Sequence, residues 1–370
     1  MTALRRVPVL QLLGPSTGGV RRHVVHLSGC LQERGWPVVV AGPDGVLDGL
    51  RALDRVVEVP PALAGRGLAG SLRRARSQLQ AAVAGAGLVH AHGLKAGWLA
   101  ASVRPPAPVV LTLHNVVLPG SGRGIDGALR AFESALPARS AVTMVVSAEM
   151  ARRFTGTSGA HRVRVVAPVS PAPAPTGIVA ETRARLGVGP DEPLVVCVGR
   201  LHPQKGLDVL LGATAALRRR RVEVRVALVG QGPLEGRLRR QAAMLGVDGM
   251  VTFAGPSANA ADELAAADVV VVPSRWEGWP LVVFEALHLG RPVVASGVGG
   301  VPDMLDGAPG WLVEPGNAQR LADALHPVLD DLAAARHTAG AVHAALVDRY
   351  PPAALVDQVE AAYGHALGRP

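Results

Sequence analysis

The 370-residue sequence contains only two cysteines, Cys30 and Cys197, and both lie in apolar runs. Two isolated thiols cannot build a disulfide framework or a cysteine-rich metal site, and they are typical of a reducing compartment. Long hydrophobic runs are missing as well, since none approaches the ~18 apolar residues that a membrane-spanning helix requires. The apolar run at the N-terminus is too short for a signal peptide and predicts a first β-strand. We therefore expect a cytoplasmic protein.

Aromatic residues make up only 3% of the sequence, and no nucleic-acid-binding motif is present, so we expect no nucleic-acid partner. Lysine is also scarce, because Lys95 and Lys205 are the only lysines among 38 basic residues. The ammonium group of lysine is more compact than the guanidinium of arginine, and the two are not interchangeable. A lysine in a chain that otherwise uses arginine therefore suggests a position where the compact cation is required.

Acidic residues are scarce in the first half of the chain. Residues 1–175 hold 20 basic and 8 acidic side chains, a net charge of +12, and residues 59–125 contain no acid at all. The rest of the chain holds 18 basic and 21 acidic side chains, a net charge of −3. An asymmetry of this kind favours an anionic partner for the first half.

Valine-rich apolar runs alternate with helix-length stretches along the whole chain. The runs of the first half are VPVLQLL, WPVVVAG, GLVHAHG, PVVLTLH and VTMVVS, and those of the second half are LVVCVGR, VRVALVG, MVTFAG, ADVVVVPS and RPVVAS. Apolar strands with helical patterns between them predict parallel sheets covered on both faces. The proline-rich segment 167–177 predicts a linker. We therefore expect two Rossmann-like, doubly wound α/β domains, 1–170 and 171–350, facing across a cleft that would hold the ligand.

The first predicted strand runs into a glycine-rich turn that contains Gly18 and Gly19 and precedes an amphipathic helix. Backbone N–H groups and the partial positive charge of a helix N-terminus favour phosphate at such a turn. The turn is neither a Walker A loop nor a G-x-G-x-x-G motif. A purely structural turn is an equally good interpretation.

Two cations follow the first strand of the second half, in the segment GRLHPQKG. Arg200 lies at the carboxyl end of that strand and Lys205 lies just beyond it, where a pair of cations could hold a diphosphate. Solvated surface charges are the ordinary alternative. The scarcity of lysine favours the diphosphate interpretation for Lys205.

The segment LVGQGPLEG resembles a dinucleotide-binding fingerprint, because Gly230, Gly232 and Gly236 lie between a strand and a helix. This similarity makes an NAD(P)-dependent dehydrogenase an alternative. However, the spacing is G-x-G-x-x-x-G, Pro233 lies inside it, and no acid ends a following strand about 20 residues on, where a ribose would be bound.

Histidines end two strands of the first half, with His90 and His92 on one and His114 on the next. Together they predict a polar floor for a ligand site. We expect no zinc site, because neither a cysteine nor an H-E-x-x-H spacing accompanies them.

The segment WEGWPLVVFEALHLG places two carboxylates in an apolar environment, Glu277 in a loop and Glu285 inside the helix that follows. A buried carboxylate is costly unless it is paired or hydrogen-bonded, so these two suggest a ligand. Each carboxylate can accept hydrogen bonds from hydroxyl groups, and the helix N-terminus can receive phosphate. A sugar and a ribose joined by a diphosphate would satisfy all three features.

These residues resemble the family 4 retaining glycosyltransferases, which have the two-domain GT-B fold. The similar segments follow one another along nearly the whole chain: GGVRRHVVHL, VHAHG, TLHN, VVS, GRLHPQKG, LVGQGPL, EGWPLVVFEALHLGRPVVAS, GVPD and GWLVEPGN. The most specific of them is the Glu-x₇-Glu element. The resemblance also implies that residues 351–370 form a helix that returns to the first domain.

The resemblance implies a site for a UDP-sugar or GDP-sugar donor. Arg200 and Lys205 would hold the diphosphate, helped by the loop at Gly18 and Gly19 and by the backbone amides near Leu281. The neighbouring residues implied to line the site are Gly278, Trp279 and Pro280. Because the sequence contains no D-x-D motif, these cations and helix dipoles would neutralise the leaving diphosphate without a metal.

For the transferred sugar, the resemblance implies that Glu277 binds its hydroxyl groups and that His114 lies beside the reacting centre. Glu285 would bind the ribose of the nucleotide. The reaction would proceed with retention, with the leaving phosphate accepting the proton of the acceptor. No cofactor other than the donor substrate is implied. A GT-B sugar-nucleotide epimerase is the alternative within the same fold.

The acceptor is expected to be anionic or lipid-linked, because acceptors in this family bind mainly to the first domain and here that domain is basic. Residues 63–84 predict a basic amphipathic helix after a glycine-rich loop. Such a helix could lie on the anionic cytoplasmic face of a membrane. An ordinary solvated surface helix explains Arg73, Arg74 and Arg76 equally well.

Overall fold

The computed structural model describes residues 6–15, 18–47, 56–58, 68–115, 123–168, 174–257 and 260–369. The chain forms two compact units. The first contains Met1–Ser170 together with Pro352–Pro370, and the second contains Pro171–Pro351. The division lies in the proline-rich segment, of which residues 169–173 fall outside the described part. No helix in the described ranges is long and apolar enough to cross a bilayer.

The described strands of the first unit are β1 (Val9–Leu13), β2 (Val38–Gly42), β3 (Val56–Glu58), β4 (Leu88–His92), β5 (Val109–Leu113), β6 (Val142–Val145) and β7 (Val163–Val165). Its described helices are α1 (Gly19–Glu33), α2 (Asp44–Leu47), α3 (Leu68–Val83), α4 (Leu94–Val103), α5 (Arg123–Ala135), α6 (Ala148–Arg152) and α15 (Pro352–Ala366).

The strands of the first unit form one parallel sheet in the order β3-β2-β1-β4-β5-β6-β7. The order reverses direction between β1 and β4, which are paired so that Leu13 lies opposite His92. In a doubly wound sheet, ligands bind beyond the carboxyl ends of the strands at this reversal. The fold therefore places the end of β1 and the histidines of β4 at the expected site of the unit.

Helix α15 completes the hydrophobic core of the first unit. Leu355, Val359 and Tyr363 lie in the same buried cluster as residues of β1, β2 and α1. The ring of Tyr363 meets Trp36 edge to face at 5.4 Å, and the indole Nε1 of Trp36 donates to Glu360 at 2.6 Å. The last helix in the sequence is thus an integral part of the unit that contains the first strand.

The described strands of the second unit are β8 (Leu194–Val198), β9 (Arg225–Val229), β10 (Val251–Gly255), β11 (Val269–Val272), β12 (Val293–Ser296) and β13 (Leu312–Val313). Its described helices are α7 (Val179–Arg185), α8 (Leu207–Arg219), α9 (Glu235–Met244), α10 (Ala260–Ala266), α11 (Leu281–His288), α12 (Val301–Met304), α13 (Ala318–Asp330) and α14 (Leu332–Arg349).

The second sheet is also parallel, in the order β10-β9-β8-β11-β12-β13. Its central strands are apolar on both faces, as the four valines of β11 illustrate, because helices cover the sheet on either side. The order reverses between β8 and β11, which are direct neighbours. Two parallel sheets with alternating helices confirm the predicted doubly wound α/β class.

Side chains define the starts of the last helices of the second unit. Asn317 accepts a hydrogen bond from the backbone N–H of Arg320, and Asp331 accepts one from the N–H of Ala334. Each cap satisfies a donor that the first turn of a helix leaves unpaired. The Asp331 cap separates α13 from α14, which follow each other without a loop.

Candidate active site

The loops that leave β8 and β11 bring together residues that are about 75 positions apart in the sequence. The first loop contains Arg200 and Lys205 and leads into α8, and the second contains Glu277 and leads into α11. Because β8 and β11 are adjacent parallel strands, both loops emerge at the same edge of the sheet, at the reversal of strand order. This edge is the candidate donor site of the second unit.

The carboxylate of Glu277 is buried and paired. Its Oε1 lies 2.6 Å from the Nζ of Lys205, and the hydroxyl of Ser274, which is fully buried, donates to the same oxygen at 2.7 Å. A buried carboxylate is tolerated when such donors satisfy it. Glu277 and Lys205 were predicted separately from the sequence, and in the structure they form an ion pair. Ser274 was not predicted, because its role depends on its hydrogen bond to Glu277 within the loop.

An ion pair and backbone contacts hold the two loops in register. The guanidinium of Arg275 donates to both carboxylate oxygens of Asp208, at 2.8 and 2.6 Å, and this pairing holds the pKa of Asp208 below its usual value. The side-chain amide of Gln204 donates to the carbonyl of Trp276 at 3.0 Å, and the N–H of Arg275 donates to the carbonyl of Gln204 at 2.8 Å. These contacts fix Lys205 relative to Glu277.

Gly299 supports the Glu277 loop from the next loop along the sheet. Its φ of 62° lies in the left-handed region, and a Cβ at this position would lie 2.2 Å from the carbonyl oxygen of Glu277. No side chain can be accommodated at that distance. The adjacent N–H of Gly300 donates to the carbonyl of Gly278 at 2.8 Å. The close approach requires glycine and keeps the Glu277 loop in one conformation.

Helix α11 begins at Leu281, after Pro280, in agreement with the helix predicted from the sequence. Glu285 lies in its second turn and is buried. The ring of Trp279 is buried against Tyr350 in an edge-to-face contact at 5.0 Å. Packing within the unit thus accounts for the position of the Trp279 ring, while its proposed place at the donor site stays a prediction.

Arg200 and Cys197 lie near Lys205 in the sequence and differ in exposure to solvent. Arg200 is exposed, and its guanidinium has no ion-pair partner among the described residues. Cys197 is buried on β8, and burial raises the pKa of its thiol to about 12. The thiol is therefore uncharged and unreactive at neutral pH, as expected of a structural cysteine.

The glycines of the dinucleotide-like segment are explained by packing. Gly230 has a φ of 140°, and a Cβ there would lie 2.0 Å from the carbonyl oxygen of Gly199; at Gly232 it would lie 2.4 Å from that of Leu201. The segment therefore packs directly against the loop that contains Arg200. This contact accounts for both glycines by packing alone, without a bound dinucleotide.

In the first unit, the glycine-rich turn leads into α1 as predicted. Gly18 precedes the helix with a φ of 72°, and Gly19 is its first residue. Both residues are exposed, and no atom lies within 4 Å of a Cβ built on Gly18. Residues 16–17 of the turn lie outside the described part. A role of the turn in phosphate binding stays a prediction.

Four buried histidines gather at the strand ends of the first unit. They are His90 and His92 on β4, His114 after β5 and His23 on α1. Three of them, His90, His92 and His114, were predicted from the sequence. His23 was not predicted, because it lies on a helix and comes close to the strand ends only in the folded protein. The rings of His92 and His114 lie 5.5 Å apart, and that of His23 contacts His114 edge to face at 5.1 Å.

Side-chain hydrogen bonds connect these histidines in one continuous chain. Thr112 is bonded to His90 at 2.7 Å, His90 to the hydroxyl of Tyr363 at 2.8 Å, and Tyr363 to the amide of Gln11 at 3.0 Å. The carbonyl of that amide is bonded to His92 at 2.7 Å, and His92 to His114 at 3.2 Å. No pattern in the sequence indicated Gln11 or Tyr363, which are hydrogen-bonded to each other although they are 352 positions apart.

Burial keeps these imidazoles uncharged. Removal from water lowers the pKa of His90 to about 3 and that of His114 to about 4. Burial, with repulsion from the neighbouring histidines, also holds the pKa values of His23 and His92 well below the ordinary value. All four are therefore neutral at pH 7 and can act as one donor and one acceptor each.

Ring nitrogens of His23, His92 and His114 lie within 4.8 Å of one another, close enough to surround a metal ion. The geometry between His92 and His114 fits a hydrogen bond better. The planes of the two rings are inclined by only 23°, their centroids are 5.5 Å apart, and the facing nitrogens are 3.2 Å apart. Because the facing nitrogens lie between the two centroids, the rings lie end to end. The two nitrogens thus point at each other instead of converging on a third atom.

Two sequence families match the chain, one in each unit. Residues 17–169 match Glycosyltransferase Family 4, and residues 192–331 match Glycosyl transferases group 1. The two matches together cover both loops of the candidate donor site as well as the glycine-rich turn and the histidines.

Curated relatives match across both regions. A D-inositol 3-phosphate glycosyltransferase of Mycolicibacterium smegmatis (strain ATCC 700084 / mc(2)155) is 35% identical over 297 residues, covering 76% of this chain and 67% of the relative. A protein with the same description from Nocardia farcinica (strain IFM 10152) is 35% identical over 285 residues, covering 68% of this chain and 62% of the relative. The matched region thus spans about two thirds of the length of these relatives.

A solved structure shares the fold over nearly the whole chain. The HepE protein of Anabaena, crystallised with UDP-glucose, superposes with a TM-score of 0.82 over 97% of this chain and 100% of HepE, at 22% identity. The architecture is thus that of the GT-B glycosyltransferases. The chain belongs to the family 4 glycosyltransferases, as its sequence motifs suggested. Neither the matched families nor these relatives give support to the epimerase alternative.

Proposed function

We propose that the protein transfers a hexosyl or N-acetylhexosaminyl group from a nucleoside-diphosphate sugar to an acceptor hydroxyl, with retention of configuration. The observation that carries this proposal is the buried Lys205–Glu277–Ser274 cluster at the reversal of strand order in the second unit. A carboxylate and an ammonium held 2.6 Å apart at this position match the two parts of a sugar diphosphate.

In this proposal, Lys205 and Arg200 bind the diphosphate. An ammonium group has three N–H donors, so Lys205 can bond Glu277 and still donate to phosphate oxygens. Arg200 is exposed beside it and can supply a second positive charge. The glycine turn at Gly18 and Gly19, and the amides of α11 near Leu281, would add N–H donors. These groups would stabilise the leaving diphosphate without a metal ion.

The proposal assigns the sugar and the ribose to different carboxylates. Glu277 would accept hydrogen bonds from the transferred sugar, and Glu285 would accept them from the ribose. Glu277 is buried, and one of its oxygens already accepts two hydrogen bonds, which suits a positioning role better than that of a nucleophile. The leaving phosphate would then accept the proton of the acceptor on the same face, consistent with retention.

A thermal-shift panel with UDP, GDP, ADP and NAD tests the donor class. A ligand that binds only the native state raises the melting temperature, and at 100 times its Kd it stabilises the protein by about 2.7 kcal/mol. We expect UDP or GDP to stabilise the protein; the description of HepE as a complex with UDP-glucose supports UDP. Stabilisation by NAD and by none of the nucleoside diphosphates would refute the transferase proposal and would favour the alternative of an NAD(P)-dependent dehydrogenase.

For the acceptor, we propose an anionic or lipid-linked molecule at the cytoplasmic face of the membrane. The net charge of +12 on residues 1–175 supports an anionic acceptor, as does the phosphate in the names of the Nocardia and Mycolicibacterium relatives. Arg73, Arg74 and Arg76 are exposed on α3, where they are accessible to an anionic surface. The glycine-rich loop before α3, residues 63–67, lies outside the described part.

Co-sedimentation with anionic vesicles tests the membrane contact. Each basic residue near an anionic surface contributes about 1 kcal/mol, so the triple variant Arg73→Gln/Arg74→Gln/Arg76→Gln should bind far less than the wild type, and added salt should have the same effect. The matched control replaces three exposed arginines of α9, which are Arg237, Arg239 and Arg240. Absence of binding at low ionic strength, or equal losses in both triple variants, would refute a contact through α3.

A further inference from the structure

The hydrogen-bonded chain that links Gln11 to His114 has a direction. We propose that Gln11 is a positioning residue that holds His114 in the tautomer with its proton on Nε2, and that Tyr363 continues the same series of hydrogen bonds from the Gln11 amide to His90. The inference rests on the proposed function only in its kinetic consequence, since it assumes there that His114 lies beside the transferred sugar. The assignment of the tautomer itself depends on the geometry of the first unit.

Gln11 sets the direction because an amide has distinct donor and acceptor ends. Its Oε1 lies 2.7 Å from Nε2 of His92 and can only accept, so the proton of His92 is on Nε2. A neutral imidazole with its proton on Nε2 has a lone pair on Nδ1. This lone pair lies 3.2 Å from Nε2 of His114, which must therefore donate. Nδ1 of His114 is then left as a hydrogen-bond acceptor.

The other end of the Gln11 amide is hydrogen-bonded to Tyr363. Nε2 of Gln11 donates to the hydroxyl oxygen of Tyr363 at 3.0 Å, and the hydroxyl lies 2.8 Å from Nδ1 of His90. The hydroxyl proton is thus donated to His90, whose own proton is on Nε2 and is donated to Thr112 at 2.7 Å. Each hydrogen bond between these groups then has one donor and one acceptor, and a rotated Gln11 amide would reverse the direction of all of them.

The residues around these hydrogen bonds exclude water and restrict rotation of the histidine rings. Gln11, His90 and Tyr363 are fully buried, and His92 and Thr112 are nearly so. His23 packs edge to face against both His92 and His114, at 6.0 and 5.1 Å, which restricts rotation of these rings. In such a site an unsatisfied polar group costs about 1–3 kcal/mol, so rotation of the Gln11 amide by itself would leave its partners unpaired and is disfavoured.

The tautomer determines what His114 can recognise. A lone pair on Nδ1 accepts a hydrogen bond from a sugar hydroxyl, whereas the opposite tautomer would present an N–H and would prefer an acceptor. A site built to bond a hydroxyl discriminates against an analogue that lacks it, because its own polar group is then left unpaired. Gln11 thereby acts on the sugar through two histidines, at a distance from any substrate atom.

Nitrogen-15 NMR of the full-length protein reads the tautomers directly. Long-range proton–nitrogen correlations distinguish imidazoles protonated on Nε2 from those protonated on Nδ1, and variants that each replace one histidine assign the signals. We expect His90, His92 and His114 of the wild type to be protonated on Nε2 at pH 7. A proton on Nδ1 of His114 would overturn the proposal, whatever the variants show.

The variant Gln11→Met removes both ends of the amide while keeping the length of the side chain. We expect it to give a mixture of tautomers at His92 and His114, whereas the matched variant Gln80→Met, on an exposed position of α3, should leave both unchanged. Tyr363→Phe keeps the ring against Trp36 but removes the hydroxyl, so His90 should become a mixture of tautomers. This variant is the alternative test if Gln11→Met does not fold. A folded Gln11→Met protein with one tautomer at His114 would contradict the proposal.

Kinetics with the donor found in the thermal-shift panel separate the inference from the proposed function. Loss of the groups that orient a metal-ligating histidine typically costs 10- to 100-fold, and by analogy we expect kcat of Gln11→Met to fall by about that factor with the KM for the donor little changed. A wild-type protein that transfers no sugar would refute the proposed function, while the NMR spectrum would still decide the tautomer.

Discussion

Lys205→Ala should lower the rate of sugar transfer by on the order of 10²–10³ fold, as loss of one preorganised charge contact to a developing anion typically does. The substitution removes a proposed phosphate ligand and also leaves Glu277 without the cation that lies 2.6 Å from its carboxylate. Initial rates at saturating donor would show the loss in kcat.

Glu277→Gln should reduce the rate to a similar extent but leave nucleotide binding largely intact, whereas Glu285→Ala should chiefly weaken nucleotide binding.

The control for this series is Arg239→Ala. It removes a cation from the same unit and breaks the exposed pair with Glu235, and Arg239 lies on α9 and is not part of the loops after β8 and β11. Exposed pairs of this kind contribute about 0.2–1 kcal/mol, so both rate and stability should stay close to the wild type. Normal turnover by Lys205→Ala and Glu277→Gln would show that the donor site has been placed on the wrong residues.

Acidification from pH 7.5 to pH 5.0 should destabilise the first unit by several kcal/mol. Burial lowers the pKa of His90 to about 3 and that of His114 to about 4, below the ordinary value of 6.5 that the unfolded chain should show. Between these values the unfolded state binds more protons, so stability is present above pH 6.5 and is lost as pH falls toward 4. Each of the two histidines contributes about 2 kcal/mol over this interval, since one pH unit corresponds to about 1.4 kcal/mol.

Calorimetry at the two pH values measures this loss as a fall of roughly 10 °C in the melting temperature of the first unit. The variant His90→Gln, which cannot be protonated, should reduce the difference between the two pH values. His337→Gln, at an exposed position of α14, should leave the difference as it is in the wild type. A melting temperature that is equal at pH 7.5 and pH 5.0 would be incompatible with four neutral, buried imidazoles.

The long strands of both sheets were predictable because they carry their own signal. Runs such as LVVCV and VVVV are apolar on both faces, and only a central strand of a covered parallel sheet requires that pattern. The short strands β3, β7 and β13, of two or three residues, were not predicted. Such strands are defined by pairing with a neighbour at the edge of the sheet, and their residues show no apolar run of their own.

The candidate site was predictable residue by residue but not as an assembly. Glu277 and Lys205 stand out because a carboxylate in an apolar segment and a rare lysine are both exceptional in this sequence. Their contact, and the role of Ser274, depend on the adjacency of β8 and β11, which is a property of strand order. Sequence alone could not distinguish a glycine that binds a ligand from one that packs against a backbone, as Gly230 does against Gly199.

The order of synthesis has a consequence for helix α15. The ribosome makes β1 well before α15, although Leu355 and Tyr363 of α15 lie in the same core as β1. At about 5–20 residues per second, the intervening second unit takes roughly 10–40 s to emerge, and during that time the surface that will receive α15 stays open. Trp36 and its apolar neighbours are then uncovered on the nascent chain. The second unit can therefore complete its fold before the first, and a chain that stops before residue 352 would leave the earlier unit unfinished and prone to aggregate.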